Sequence, residues 1–122
     1  MSVQTTKEIG QLAENIAYQY LASNGLKLIE RNYRISGGEI DLIMHDGNTT
    51  IFVEVRYRKS LKFGNGAESI NHTKRSRLIA TSLHYLQTHP QYNTAPCRFD
   101  VISITSAQDK PEVEWIKDAF QA

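Results

Sequence analysis

Three carboxylates and an arginine fall inside a stretch that otherwise reads as buried strand. The segment GGEIDLIMHDGNTTIFVEVRYRKS, residues 37 to 60, sets Glu39, Asp41 and Glu54 among branched and aromatic residues, with Arg56 two positions after the last acid. Buried strands exclude lone charges, because an uncompensated carboxylate in a dry interior is strongly destabilising. Two arrangements offset that cost. In one, Asp41 and Glu54, with the carbonyl of Val55 between them, hold a hard divalent cation. Mg²⁺ typically takes one or two carboxylates, several waters and phosphate oxygens. In the other, the cluster is structural and Arg56 pairs with Glu54 and Asp41. The first supports metal-assisted hydrolysis and the second supports no chemistry.

Side-chain alternation puts Glu54 and Arg56 on one face of their strand and Val53 and Val55 on the other. GEIDLIM and TIFVEVRY read as two strands joined at His45-Asp46-Gly47-Asn48, where Asp-Gly is a hairpin signal. A loop of Asp46-Gly47 sets Asp41 opposite Phe52 and diagonal to Glu54, and a loop from Asp46 to Thr49 sets Asp41 directly opposite Glu54. Either even loop gathers Asp41, Glu54 and Arg56 on one face, whereas a loop of odd length separates them.

The surrounding elements follow from periodicity and punctuation. Thr5 and Glu8 form a capping box, and Ile9, Leu12, Ala13, Ile16, Ala17, Tyr20 and Leu21 keep helical spacing. The first helix therefore runs from about Thr6 to Asn24, with Gly25 free to end it in a left-handed conformation. LKLIERNYR is a strand, punctuated by Ser36-Gly37-Gly38. A second helix covers about Asn71 to Thr88, with Leu78, Ile79, Ser82, Tyr85 and Leu86 on one side. CRFDVISI is a strand, VEWI a short one, and the tail beyond Lys117 has no assigned element. The order α-β-β-β-α-β-β implies one α/β sandwich around a mixed sheet, a single domain over residues 1–122.

The net charge of +1 hides a basic zone. Arg56, Arg58, Lys59, Lys62, Lys74, Arg75 and Arg77 are 7 of the 14 Lys and Arg, and Glu68 is the one acid among residues 56 to 77. A one-sided cationic zone suits an anionic partner, and its alternative is a solvated loop. Lys74, Arg75 and Arg77 at a helix start oppose the macrodipole, yet cations beside free amides would hold phosphate well. Arg58, Lys59 and Lys62 extend that track, and Phe63, Gly64 and Gly66 let it bend. With no base-reading motif, the expected partner is DNA or structured nucleic acid recognised by backbone and shape. Lys74 also reads as a boundary lysine whose stem covers apolar surface.

Hydrophobic residues at 40% and charged residues at 22% place the chain among globular proteins. No segment approaches the roughly 20 apolar residues of a membrane span, and the start lacks a signal-peptide pattern. The lone Cys97 cannot form an internal disulfide, so the expected compartment is the cytoplasm. His45, His72, His84 and His89 lack metal-ligand spacing, and no phosphate-binding glycine loop, dinucleotide fingerprint or nucleophile elbow occurs. Arg98 and Asp100 read as a structural pair, and Trp115 and Phe120 as packing residues; an exposed Trp-Phe pair would instead mark a homodimer contact.

GGEIDLIMHDG, FVEVRYR, FG, Lys74, CRFDVI and EVEWIKDAF together resemble the YraN family of uncharacterised bacterial proteins, over nearly the whole chain. That family is similar to the PD-(D/E)xK nucleases, particularly archaeal Holliday junction resolvases. The resemblance implies a restriction-endonuclease-like α-β-β-β-α-β core, with a mixed central sheet flanked by helices. It implies an Mg²⁺- or Mn²⁺-dependent endonuclease, with a non-catalytic nucleic-acid-binding or protein-interaction module on the same fold as the alternative. Asp41 matches the aspartate of the first motif, Glu54 the acid of the second, and Glu14 the first-helix acid of resolvase-like members. Arg56 stands where the superfamily has lysine. Arginine keeps the charge and can grip phosphate through two donors, but it cannot act as a base. Glu14 also has a local reading. Gly10, Glu14, Ala17 and Leu21 form a row at the margin of the apolar face, where small residues would let a strand approach and Glu14 reach the cluster; turned outward, it is a boundary carboxylate in water.

Overall fold

The computed structural model describes residues 5–58, 70–107 and 110–122. Helix α1, Thr6–Ser23, starts where the sequence says it should. Thr5 Oγ1 accepts from the Glu8 amide (3.1 Å) and Glu8 Oε1 accepts from the Thr5 amide (3.3 Å), satisfying two orphan donors of the first turn. It ends at Asn24, and Gly25 turns the chain at φ +93°. The second helix, α2, is His72–Thr88, and its cap is Asn71, whose Oδ1 accepts from the Lys74 amide at 2.9 Å. Among the described residues no helix is long and apolar enough to cross a membrane.

Among the described residues five strands lie between these helices: β1 Lys27–Ile35, β2 Gly38–Asp46, β3 Thr49–Arg58, β4 Cys97–Ala107 and β5 Lys110–Phe120. They line up in chain order. Every neighbouring pair is antiparallel except β3 and β4, which are parallel because the chain returns through α2 between them. The α-β-β-β-α-β order is therefore that of the structure, with β5 added at the edge.

The strands at the centre are apolar on both faces because a helix covers each face. Leu42, Met44, Ile51, Val53, Ile102 and Ile104 pack with Ala13, Ala17 and Leu21 of α1. On the opposite side Ile43, Phe52, Phe99 and Val101 pack with Leu78 and Tyr85 of α2. Burying each such Leu, Ile or Phe side chain contributes about 1.5–3 kcal/mol.

The β2–β3 hairpin settles the register. Pairing runs from Leu42↔Val53 to Asp46↔Thr49, so Gly47 and Asn48 make the turn, with Gly47 at φ +59°. One step past Leu42↔Val53, Asp41 stands across from Glu54. This is the register of the Asp46-to-Thr49 loop, tightened by one further pair.

β5 is longer than the short VEWI strand that its pattern suggests. Asp100 explains the difference. Its carboxylate is 1% exposed and accepts from Arg98 Nε (3.0 Å), Trp115 Nε1 (2.9 Å) and the Asp118 amide (3.0 Å). A buried carboxylate satisfied by three donors clamps the edge strand to β4 through a shifted register between Phe99 and Val101. Arg98 and Asp100 are thus the structural pair expected of them. Phe120 is buried and stacks on Phe99 at 4.8 Å, whereas Trp115 packs toward α1, edge-on to Tyr20 at 6.2 Å. The two aromatics enter different layers, so they do not form the exposed pair that a homodimer contact built on them would need.

Candidate functional site

Glu54 shares the α2 face of β3 with Phe52 and is 6% exposed. Two cations approach its Oε1: Lys74 Nζ at 2.7 Å and Arg56 Nη1 at 3.8 Å. The closer cation comes from α2, where the Asn71 cap fixes the first turn and so aims Lys74 back over the sheet. The Lys74 side chain remains 40% exposed, so its ammonium faces both the buried acid and the solvent side. Arg56 is a secondary partner of Glu54, not the main one.

Asp41 differs from Glu54 in having no cation partner among the described residues. Its Oδ2 accepts from the Val55 amide at 2.8 Å, and among the described residues no lysine or arginine forms an ion pair with it. The side-chain bond takes an amide that a regular ladder would give to a carbonyl of β2. Burial pushes the Asp41 carboxyl well above the usual range, Glu54 adds to the push, the Val55 amide opposes it, and Glu14 and Glu39 raise it further. Four carboxylates therefore act on one another here.

Glu14 reaches this group from α1. Its Oε1 accepts from Asn32 Nδ2 at 3.0 Å. Burial raises its carboxyl above the ordinary value, the Asn32 bond and Arg31 lower it, and Glu39 raises it again. Glu14 overhangs the sheet as its position in the helical row suggests, but not for the expected reason. A Cβ built on Gly10 meets nothing within 4 Å, so no strand approaches closely there. Glu39 lies across from Arg34 on β1 and pairs with it at 2.9 Å.

Two clefts meet at Asp41. One, of about 600 Å³, lies under the start of α2 and is lined by Asp41, Glu54, Lys74 and Arg77 among others. The other, of about 380 Å³, lies under α1 and is lined by Glu14, Asn32, Asp41 and Tyr57 among others. Arg34, Glu39 and Asp41 line both. Gly38 lies on the wall of the first cleft, where a Cβ would collide with Thr81 Oγ1 and lie 3.2 Å from the Arg77 carbonyl, so only glycine lets α2 settle on the β1–β2 turn.

The basic residues divide. Lys74 and Arg77 line the α2 cleft, but Arg75 lies over the Phe120 ring at 5.7 Å, away from it. Arg58 closes β3, and Lys59, Lys62, Phe63, Gly64 and Gly66 lie outside the described residues. The sequence reading missed Asn32 and left Glu39 without a role. An asparagine inside an otherwise strand-like run was the available signal for the first, since asparagine disfavours strands and tolerates left-handed backbone.

Among the described residues no three acid, histidine or cysteine side chains form a group that could hold a metal ion. A cation here would rest on Asp41 and Glu54 with neighbouring carbonyl oxygen and water, a donor set that fits Mg²⁺ or Mn²⁺. The carboxylate surplus around an Asp41 that has no counter-cation among the described residues fits the same ions.

The chain belongs to the uncharacterised protein family UPF0102, whose model matches residues 13–104, the span that carries Glu14, Asp41, Glu54, Arg56 and Lys74. It is 45% identical over 121 residues to a UPF0102 protein of Nitrosococcus oceani, covering 99% of this chain and 98% of that one. A UPF0102 protein of Methylobacillus flagellatus is 50% identical over 116 residues, covering 95% and 99%. The UPF0102 protein YraN of Escherichia coli is 47% identical over 117 residues, covering 95% and 86%. The YraN-family resemblance is thereby established. These names carry no activity, so the chemistry rests on the site itself.

Proposed function

We propose that this protein is an Mg²⁺- or Mn²⁺-dependent endonuclease acting on DNA or structured nucleic acid, with its centre at Asp41 and Glu54. One observation carries the reading: among the described residues Asp41 has no cation partner, although it stands across from the buried, lysine-paired Glu54 at the meeting of two open clefts. A cluster built only for stability pairs its charges, because a partnerless buried charge is costly.

A divalent cation, when bound, would lower the pKa of a water and neutralise charge developing on a phosphate. Asp41 and Glu54 supply its hard oxygen donors. Lys74 offers an ammonium with three donors toward the cleft, where it can meet a phosphate oxygen while still anchored to Glu54. Arg56 contributes fixed positive charge and no proton transfer. Arg77 on the cleft wall adds a backbone contact for the nucleic acid. Lys74 thus supports the role that an arginine in the lysine position leaves open.

The second reading is a non-catalytic nucleic-acid-binding or protein-interaction module. The 2.7 Å Lys74–Glu54 pair favours it, since it engages the second acid without any metal. Supercoiled plasmid and branched synthetic duplexes incubated with Mg²⁺, Mn²⁺ or chelator separate the two. The nuclease reading expects metal-dependent nicking that Asp41→Asn and Glu54→Gln abolish. Retention of DNA without cleavage leaves the binding module, and neither cleavage nor retention leaves the protein-interaction role.

A further inference from the structure

β1 has two irregularities, a register shift between Leu28 and Glu30 and a break in alternation at Asn32; the second is the one beside the candidate site. Arg31 and Asn32 are consecutive, yet both reach α1. Arg31 Nη1 donates to Asn15 Oδ1 at 2.7 Å and its guanidinium lies over the Tyr18 ring at 4.5 Å, while Asn32 Nδ2 donates to Glu14 Oε1 at 3.0 Å. Neighbouring side chains of a strand point to opposite faces, so one of the two should have turned toward α2. The backbone permits the exception because Asn32 sits at φ +53°. Non-glycine residues adopt that left-handed conformation rarely, and asparagine more readily than most. Tyr33 then resumes the pattern and faces α2, edge-on to Tyr85 at 5.0 Å.

The exception falls at a particular point. Arg31↔Leu42 and Tyr33↔Ile40 are paired, so Asn32 stands across from Asp41. Asn32, Glu14 and Asp41 line the same cleft. A non-glycine residue held in a sparsely populated backbone region persists where the surroundings over-determine it, and such residues concentrate at functional sites.

We propose that Asn32 is the positioning residue of the candidate centre: its left-handed backbone, opposite Asp41, turns its amide to α1 and holds the Glu14 carboxylate in the cleft that Asp41 lines. Glu39 and Asp41 both repel Glu14, and a glutamate at a helix margin is otherwise free to rotate into water. With Oε1 anchored by the amide, the other oxygen keeps its lone pairs for a water or a cation's hydration shell. The inference rests on the endonuclease reading only for what the held carboxylate then does.

Asn32→Gly keeps the backbone conformation and removes the amide. Asn32→Asp also tolerates the conformation but sets a carboxylate against Glu14. Mn²⁺ binding to the full chain is measured by calorimetry for wild type, Asn32→Gly, Asn32→Asp, Glu14→Gln and the Asn32→Gly/Glu14→Gln double variant. Outer residues that orient a metal's ligands are worth about 10–100-fold in affinity. Asn32→Gly and Glu14→Gln should each weaken Mn²⁺ binding by about tenfold on that scale, Asn32→Asp at least as much, and the double variant no more than Glu14→Gln alone. Wild-type Mn²⁺ affinity in Asn32→Gly, or multiplied losses in the double variant, overturns the positioning role. A wild type that takes up no Mn²⁺ removes the metal-dependent reading instead. The urea midpoints of the same proteins then decide the inference: non-additive shifts sustain the grip of Asn32 on Glu14, and additive shifts overturn it.

Discussion

Lys74 Nζ stands 2.7 Å from Glu54 Oε1, and Arg56, two residues along the same strand as Glu54, stands 3.8 Å from that oxygen. The helix, not the strand, supplies the working cation. Glu54 is nearly buried and Lys74 is 40% exposed, so solvent screens part of the attraction. Lys74→Met should lower stability by about 1–2 kcal/mol, at the low end for a pair with one buried partner, and Arg56→Met by less. Urea denaturation of the two variants checks the order, and an Arg56 effect larger than that of Lys74 reverses it.

Asp41 reports whether the carboxylate surplus serves a cation. Asp41→Asn should stabilise the metal-free protein or leave it unchanged, because it removes repulsion from Glu54, Glu14 and Glu39. It should also abolish any rise in Tm with millimolar Mn²⁺, since a ligand stabilises only through the state it binds. A variant that melts far lower, beside a wild type indifferent to Mn²⁺, would show that the cluster is structural.

The pH dependence has a definite sign. The folded Asp41 carboxyl is raised well above 3.8, so between that value and the raised one the folded state binds more protons than the unfolded. Stability from this group is therefore greatest below the unfolded value and is lost as pH rises through the folded one. The stability of wild type relative to Asp41→Asn should fall from acid toward neutral pH. Denaturation at a series of pH values tests this, and a rising difference contradicts it. Mn²⁺ should bind better as pH rises, because its ligands must be deprotonated.

Gly38 sets how closely α2 approaches the β1–β2 turn. Gly38→Ala puts a methyl against Thr81 Oγ1 and 3.2 Å from the Arg77 carbonyl. Overpacking of this kind costs about 1–3 kcal/mol. Adding Thr81→Ala should restore part of the loss, as read from urea midpoints, because the hydroxyl is the nearer of the two obstacles.

Salt dependence of nucleic-acid binding should distinguish the basic residues. Arg77 lines the cleft and Arg75 leans on Phe120. Arg77→Ala should reduce the slope of log affinity against log salt by about 1, as for one phosphate contact. Arg75→Ala should change it less, and equal effects would place both on the contact surface.

Much of this architecture is legible in the amino-acid sequence because it depends on neighbours. The Thr5–Glu8 box, the Asn71 cap and the apolar spacings of both helices act within one turn, and the residues between Gly38 and Arg58 declare strands apolar on both faces. Alternation alone puts Glu54 with Phe52. What remained open was set by contacts distant in the chain. Two even hairpin registers satisfy the Asp-Gly signal equally, and packing of the β2 and β3 faces between the helices selects the one that brings Asp41 opposite Glu54. β5 extends to Phe120 because Asp100 binds Trp115 and the Asp118 amide across the sheet, a bond set that no local pattern of charged residues announces. Lys74 meets Glu54 only after the crossover returns α2 over β3, and Asn32 adopts its left-handed backbone only where β1 must turn its amide to Glu14. Local propensity and period reside in the sequence, whereas register, reach and the sharing of charge depend on which surfaces exclude water together.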